Sequence, residues 1–182
     1  MNAIELSHVT KHFPGFTLQD LSLTVPSGTI CGLVGENGAG KSTMLNAVAG
    51  TFSVDSGAIV IDGVDVTRLP EHKRAKFIGR VFQDPMMGTA PTMQIEENLA
   101  LAYTRKDRKP FRSAVRKQEK DLFRTELEKY HMDLENRMKT KVGLLSGGQR
   151  QVVTLLMCTL VMPKLLLLDE HTAALPSRGM IS

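Results

Sequence analysis

Eight consecutive residues, Gly35-Glu36-Asn37-Gly38-Ala39-Gly40-Lys41-Ser42, carry the spacing G-x-x-x-x-G-K-S. These residue types at this spacing suit phosphate. Glycines let the backbone curl so that successive N–H groups point inward at phosphate oxygens. A helix opening at Lys41 adds partial positive charge behind them. Lys41 is then placed to reach β- and γ-phosphates, and the Ser42 hydroxyl to ligate Mg²⁺. The candidate cradle is Gly35, Asn37, Gly38, Ala39, Gly40, Lys41, Ser42 and Thr43. A chance Lys-Ser after a glycine-rich turn is a poor explanation when a strand precedes it and a helix follows.

Two further segments offer chemistry that the loop lacks. Leu165-Leu166-Leu167-Leu168-Asp169-Glu170 is an apolar strand ending in two carboxylates. At the C-terminal edge of an α/β sheet, Asp169 can hold a magnesium shell and Glu170 can polarise an attacking water. Alone, the segment is equally an acid-capped buried strand. Leu145-Ser146-Gly147-Gly148-Gln149-Arg150-Gln151 reads as a second small-residue loop at a helix start. It is either another anion site or an ordinary N-cap with Ser146 as the capping residue.

The elements that must position these residues follow from periodicity. Strands are expected at 4–9, 18–25, 29–34, 58–61, 77–82 and 165–168, and a helix at 42–49 stopped by Gly50. From 95 to 103 and from 112 to 131 the pattern is helical and strongly charged, with Pro110 between, and a third helix runs from 145 to about 161. Strand, helix and strand in alternation argue for a parallel sheet covered by helices, with the charged middle inserted as a helical subdomain.

Composition sets the outer bounds. With 182 residues, 42% of them hydrophobic, the chain holds enough apolar mass for a core, which excludes disorder as its main state. Its longest apolar run, 152–162, falls short of the roughly 20 residues that a membrane span needs, and residues 1–7 do not resemble a secretion signal. Cys31 and Cys158 sit in apolar sequence and are expected to be reduced core thiols of a cytosolic chain. The net charge of +4 is local: residues 105–120 hold eight Lys/Arg and two acids. Such a run is a solvated face or a surface for nucleic acid or anionic lipid.

The order GENGAGKST, Gln83-Asp84-Pro85, LSGGQRQ and LLLLDE resembles the ATP-binding-cassette (ABC) transporter ATPases over nearly the whole chain. The resemblance implies a P-loop NTPase fold: a RecA-like parallel sheet with an antiparallel β subdomain, plus an inserted helical signature subdomain. Residues 1–85 and 162–182 would form the nucleotide-binding α/β core and 86–161 the helical part. ATP and Mg²⁺ would be the cofactors. Glu170, Lys41 and Gln83 would be catalytic, and Ser42, Gln83 and Asp169 would surround the metal. Ser146 and Gly148 would contact ATP held by a second subunit in a head-to-tail homodimer. Phe13 resembles the aromatic that stacks on adenine, or is an edge Phe of the core.

Finer texture, Phe82-Gln83-Asp84-Pro85-Met86-Met87-Gly88-Thr89 and Ile95-Glu96-Glu97-Asn98-Leu99, is similar to the ATPase subunit of bacterial uptake transporters, some assigned to amino acids. That implies peripheral attachment to the cytoplasmic side of the membrane through transmembrane permease subunits, with an extracytoplasmic solute-binding protein as an indirect partner and no nucleic acid. Met86, Met87 and Met93 would offer the permease an adaptable apolar contact, or belong to the core. Relative to the family pattern the chain is short at its C-terminus: Pro176 stands where a D-loop aspartate is expected, and no histidine matches the switch position. A nucleotide-binding fragment without hydrolysis and a nucleic-acid-associated cassette are the alternatives.

Overall fold

The computed structural model describes residues 1–82, 84, 86–105 and 115–169. The chain divides into two compact units, 1–79 with 163–167, and 80–162 with 168–182.

The first unit is built on an antiparallel sheet of order β2-β1-β3-β4, from β1 (Asn2–Phe13), β2 (Phe16–Pro26), β3 (Ser56–Ile61) and β4 (Val64–Asp65). Pro14-Gly15 turns β1 into β2, with Phe13 opposite Phe16. Proline presets the first turn position, and Gly15 takes the positive φ of the second. Along β1 the core-facing residues are Ile4, Leu6 and Val9 rather than a strict alternation, because the register shifts between Leu6 and Val9. His8 sits in the left-handed region at that bulge. Its amide donates to Ser22 Oγ at 3.0 Å, and its Nδ1 lies 2.6 Å from Asp20 Oδ1. The side chains thus take up the bonds that the interrupted ladder leaves.

Helix α1 (Lys41–Ala49) buries Leu45, Ala47, Val48 and Ala49 in the same core as Ile59, Ile61, Val66, Ile78 and Leu167. Each fully buried Ile contributes on the order of 1.5–3 kcal/mol relative to exposure. A short helix α2 (Glu71–Arg74) follows β4. Beyond it, β5 (Ile78–Val81) pairs with β6 (Leu165–Leu168) in a separate two-stranded sheet. Phe77 O accepts from Leu165 N at 3.1 Å, and Val81 O from Asp169 N at 3.4 Å. Both strands advance together, so the pair is parallel.

Two sequence expectations fail here. Residues 29–34 form no strand: Ile30 and Val34 are fully exposed and Leu33 is 37% exposed. A fully apolar strand is stable only with ladder bonds at its edges and apolar cover on both faces. Among the described residues no strand pairs with this segment. Cys31 is exposed for the same reason, whereas Cys158 is buried as expected. Its Sγ donates to Arg80 O at 2.9 Å, and burial pushes the thiol above its ordinary pKa.

At the C-terminal end of β1, Asp55 accepts from Lys11 Nζ at 2.7 Å and from His12 N at 2.8 Å. The Lys11 bond first, then the His12 amide, holds the carboxyl well below its ordinary value of 3.8. Its folded pKa is the lower one, so its stabilising contribution is full above pH 3.8 and is lost as pH falls below it. Thermal unfolding of Asp55→Asn should therefore differ from the parent at neutral pH. The two curves should converge on acidification; a constant offset would refute the linkage.

The second unit is helical: α3 (Ile95–Tyr103), α4 (Lys117–Glu128) and α5 (Gly147–Thr159), with a 3₁₀ turn at Val142–Leu144. Phe123 and Leu127, one turn apart on α4, are fully buried, and Phe123 meets Tyr103 edge-on at 5.9 Å. Helix α4 begins at Lys117 rather than at 112, and residues 106–114, most of the basic run, lie outside the described residues. Glu97 Oε2 accepts from Gln94 N at 2.7 Å to cap α3. Asn98, fully buried, accepts from Ala90 N at 2.8 Å and donates to Gln94 O at 2.9 Å, which pins the segment leading into α3. Met87 on that approach is 71% exposed and Met86 and Met93 are half-buried, so none of the three belongs to the core.

Candidate nucleotide site

The residues of the phosphate loop follow one another through a tight turn. Ala39 N donates to Glu36 O at 3.2 Å, and Gly38 and Gly40 both adopt left-handed φ, 86° and 88°. L-residues resist that conformation, which explains glycine at these two positions. At Gly40 there is a second reason: an added Cβ would lie 3.0 Å from the Phe16 ring. Gly40 is the N-cap of α1. No side chain caps the helix there, and no acid occupies its first turn. An end of this kind, with partial positive charge and no acid in its first turn, is suited to an anion.

Lys41 is folded back over the turn. Its Nζ donates to Gly35 O and Glu36 O, both at 2.7 Å. Ser42 and Thr43 follow on α1, exposed and half-buried respectively. Gly35, Asn37 and Ala39 are exposed along the turn. Phe13 lies on the same unit in an aromatic cluster, edge-on to Phe52 at 5.1 Å and 6.4 Å from Phe16, with Lys11 Nζ 5.9 Å from its centroid. Phe16 was not legible as a site residue. It links the Phe13 cluster to Gly40, and a strand phenylalanine carries no signal for that.

In the second unit the loop before α5 is held from within. Gln149 N donates to Ser146 Oγ at 3.3 Å, and Ser146 N donates to Gln149 Oε1 at 3.2 Å, a reciprocal capping box. Arg150 Nη2 donates to Leu145 O at 2.9 Å and to Gly143 O at 3.3 Å. Arg150 is the second residue that sequence reasoning missed; it fixes the carbonyls on which the loop turns. Gly147 and Gly148 have no positive φ, and a Cβ on either would meet nothing within 4 Å. Neither conformation nor internal packing calls for glycine there. A backbone kept bare in open space fits close approach by a ligand from outside this unit.

Asp169 follows β6, half-buried, with its amide on Val81 O. Gln83 and Glu170, along with Pro176, lie outside the described residues. The phosphate loop and Phe13 belong to the first unit, and Ser146, Gly148 and Asp169 to the second.

Residues 18–173 match the family model described as ABC transporter, a span that contains both loops and Asp169. This chain belongs to the ABC transporter ATP-binding family. Members of the family are ATPases. The cassette is 39% identical over 178 residues to the tyrosine transport ATP-binding protein of Clostridioides difficile (strain R20291), covering 94% of this chain and 70% of that protein. It is 35% identical to the sulfate/thiosulfate import ATP-binding protein CysA of Neisseria meningitidis serogroup A, covering 97% of this chain but 47% of that one. The chain thus spans about half the length of the sulfate/thiosulfate relative.

Among solved structures, the ADP conformation of MJ1267, an ATP-binding cassette of an ABC transporter, superimposes with a TM-score of 0.73 at 26% identity. The match covers 96% of this chain and 71% of that one. The fold is therefore that of the ABC cassette, a P-loop NTPase with an antiparallel β portion and a helical portion. No helix among the described residues of the cassette is long and apolar enough to cross a membrane.

Proposed function

We propose that the chain is the ATP-binding and ATP-hydrolysing subunit that drives solute import through a membrane permease. The observation that carries this reading is the phosphate loop. Left-handed turns at Gly38 and Gly40 lead into an acid-free, uncapped helix start, and Lys41 rests on the loop's own carbonyls. Bound MgATP supplies the phosphoryl group and the free energy of its transfer to water. The residues present fit such a group. Lys41 exchanges two neutral carbonyls for phosphate oxygens, a charge-assisted replacement. Ser42 and Asp169 are the metal-side groups, and Gln83 senses that metal and the water. Glu170 holds the attacking water and takes its proton. Phe13 offers a ring face to adenine.

Gly147 and Gly148, bare without internal cause, support an ATP-contacting role for Ser146 and Gly148 across a head-to-tail pair of subunits. In this reading residues 1–85 and 162–182 form the nucleotide core and 86–161 the helical part. The cassette sits on the cytoplasmic side of the membrane against permease subunits, with a solute-binding protein as an indirect partner. An amino acid is the solute class favoured, since the tyrosine-transport relative is matched over the larger share of its length.

The test is direct. The purified chain should bind MgATP saturably, and should release phosphate from ATP at a rate that rises with protein concentration as pairs form. Absence of MgATP binding would overturn the reading. Binding with no phosphate release at any concentration would leave a nucleotide-binding protein and remove hydrolysis.

A further inference from the structure

One buried cation in the first unit is not explained by folding alone. Arg74, the last residue of α2, is 1% exposed, and no carboxylate among the described residues hydrogen-bonds it. Its hydrogen-bond partners among the described residues are all backbone carbonyls. Nε donates to Leu69 O at 2.8 Å, Nη2 to Thr67 O at 3.0 Å, and Nη1 to Ala47 O and Val48 O at 2.8 and 2.9 Å. Two of those four acceptors belong to the last turn of α1, the helix whose first turn carries Lys41 and Ser42. Burial lowers the guanidinium's pKa, with Asp65 opposing, so the charge is kept there against a cost.

The end of α1 is already closed without this residue. Gly50, at φ 83°, donates to Asn46 O and Ala47 O, and Thr51 N donates to Asn46 O. A conventional glycine cap is therefore in place, and Arg74 is added to it. What the guanidinium supplies is a rigid tie between the helix end and residues 67–69. A nine-residue helix is too short to be stable by itself, so tertiary contacts set its axis. Its length is about 13 Å, at about 1.5 Å per residue. A tilt of about 5° at the tied end would move the first turn by about 1 Å, and displacements of that size are costly at a reacting centre. The planar fork also has a geometric advantage. It reaches several carbonyls at once, whereas an ammonium is a point donor.

We propose that Arg74 is a positioning residue for nucleotide binding: it anchors the C-terminal end of α1 and thereby aims the Gly40–Ser42 amides and Lys41 at the phosphates. This rests on the ATP-binding reading above. A cation at the helix C-terminus also complements an anion at its N-terminus, which adds to the effect in the same direction.

The experiment compares MgATP titrations of the parent, Arg74→Lys and Gly50→Ala, recording affinity and the number of sites per chain separately, with melting temperature alongside. Arg74→Lys keeps the charge and loses the fork. It should raise Kd about 10-fold while the number of sites stays near that of the parent. A role in folding alone would lower the melting temperature and the number of sites but leave Kd where it was, and that outcome overturns the proposal. Gly50→Ala attacks the tie from the other side, because its Cβ would stand 2.7 Å from Arg74 Nε. It should raise Kd too, and the double variant should lose less than the product of the two singles. Multiplicative losses would refute a shared tie. If the parent itself binds no MgATP, the ATP-binding reading falls and takes this proposal with it. A binding parent with an unmoved Arg74→Lys Kd sinks the positioning role alone.

Discussion

Lys41→Ala is expected to weaken MgATP binding by about 100-fold or more while leaving the fold intact. The ammonium now bonds Gly35 O and Glu36 O, both on an exposed turn. Those carbonyls can turn to water when the side chain is removed, so little stability should be lost. Against phosphate the balance is different. A hydrogen bond to a charged group contributes about 1.5–3 kcal/mol, and in the proposed site Lys41 exchanges its two carbonyls for two phosphate oxygens. Losing both corresponds to at least about two powers of ten in Kd. Lys41→Arg should not restore affinity, because the bulkier planar fork cannot seat where a point charge sits between two carbonyls 2.7 Å away. Titration with a fluorescent ATP analogue, with circular dichroism as the control for folding, decides it. A Kd within about threefold of the parent would remove Lys41 from the site.

The contrast between Lys41 and Arg74 shows what a sequence can disclose. The turn that carries Lys41 was legible because it is local: the glycines and the lysine are contiguous, and backbone geometry follows from spacing. Ser146 was legible for the same reason, since a cap and its Gln149 partner are three residues apart. Arg74 lies 26 and 27 residues from the two α1 carbonyls it ties, and nothing in the spacing of α2 marks it. Phe16 and Arg150 were missed in the same way. Each acts on a loop through packing or carbonyl bonds that only the folded chain brings together.

Periodicity fared unevenly for a related reason. Helix α3 spans Ile95–Tyr103 and β6 spans Leu165–Leu168, both as expected, because each shows its pattern within its own residues. The β1 bulge was invisible, since Ser7-His8 breaks the alternation only where a partner strand defines the register. The run at 29–34 has the composition of a buried strand, yet burial is conferred by neighbours and not by composition. With no strand beside it among the described residues, Ile30 and Val34 face water and the apolar pattern has nothing to satisfy it.

Glu170→Gln is expected to cut ATP turnover by at least about 10²-fold with MgATP affinity kept. Glu170 lies outside the described residues, and the expectation rests on its place in the chain. Strand β6 runs parallel to β5, and Asp169 N bonds Val81 O at its C-terminal end. Asp169 therefore leaves an apolar strand at the sheet edge where ligands of α/β folds lie, and Glu170 is the next residue in the sequence. Two adjacent acids near a polyphosphate would repel it, and a metal held by one of them would offset that repulsion. Glutamine keeps the size and one hydrogen bond of the second acid but cannot accept the proton of an attacking water. It also removes a negative charge, so affinity for a tetra-anionic nucleotide should hold or rise. Asp169→Asn should behave in the opposite way, with magnesium-dependent affinity lost first. Steady-state phosphate release paired with binding for both variants separates the roles. Turnover retained in Glu170→Gln would mean that the water is activated elsewhere. Affinity lost in Glu170→Gln but kept in Asp169→Asn would mean that the assignments of base and metal group are reversed.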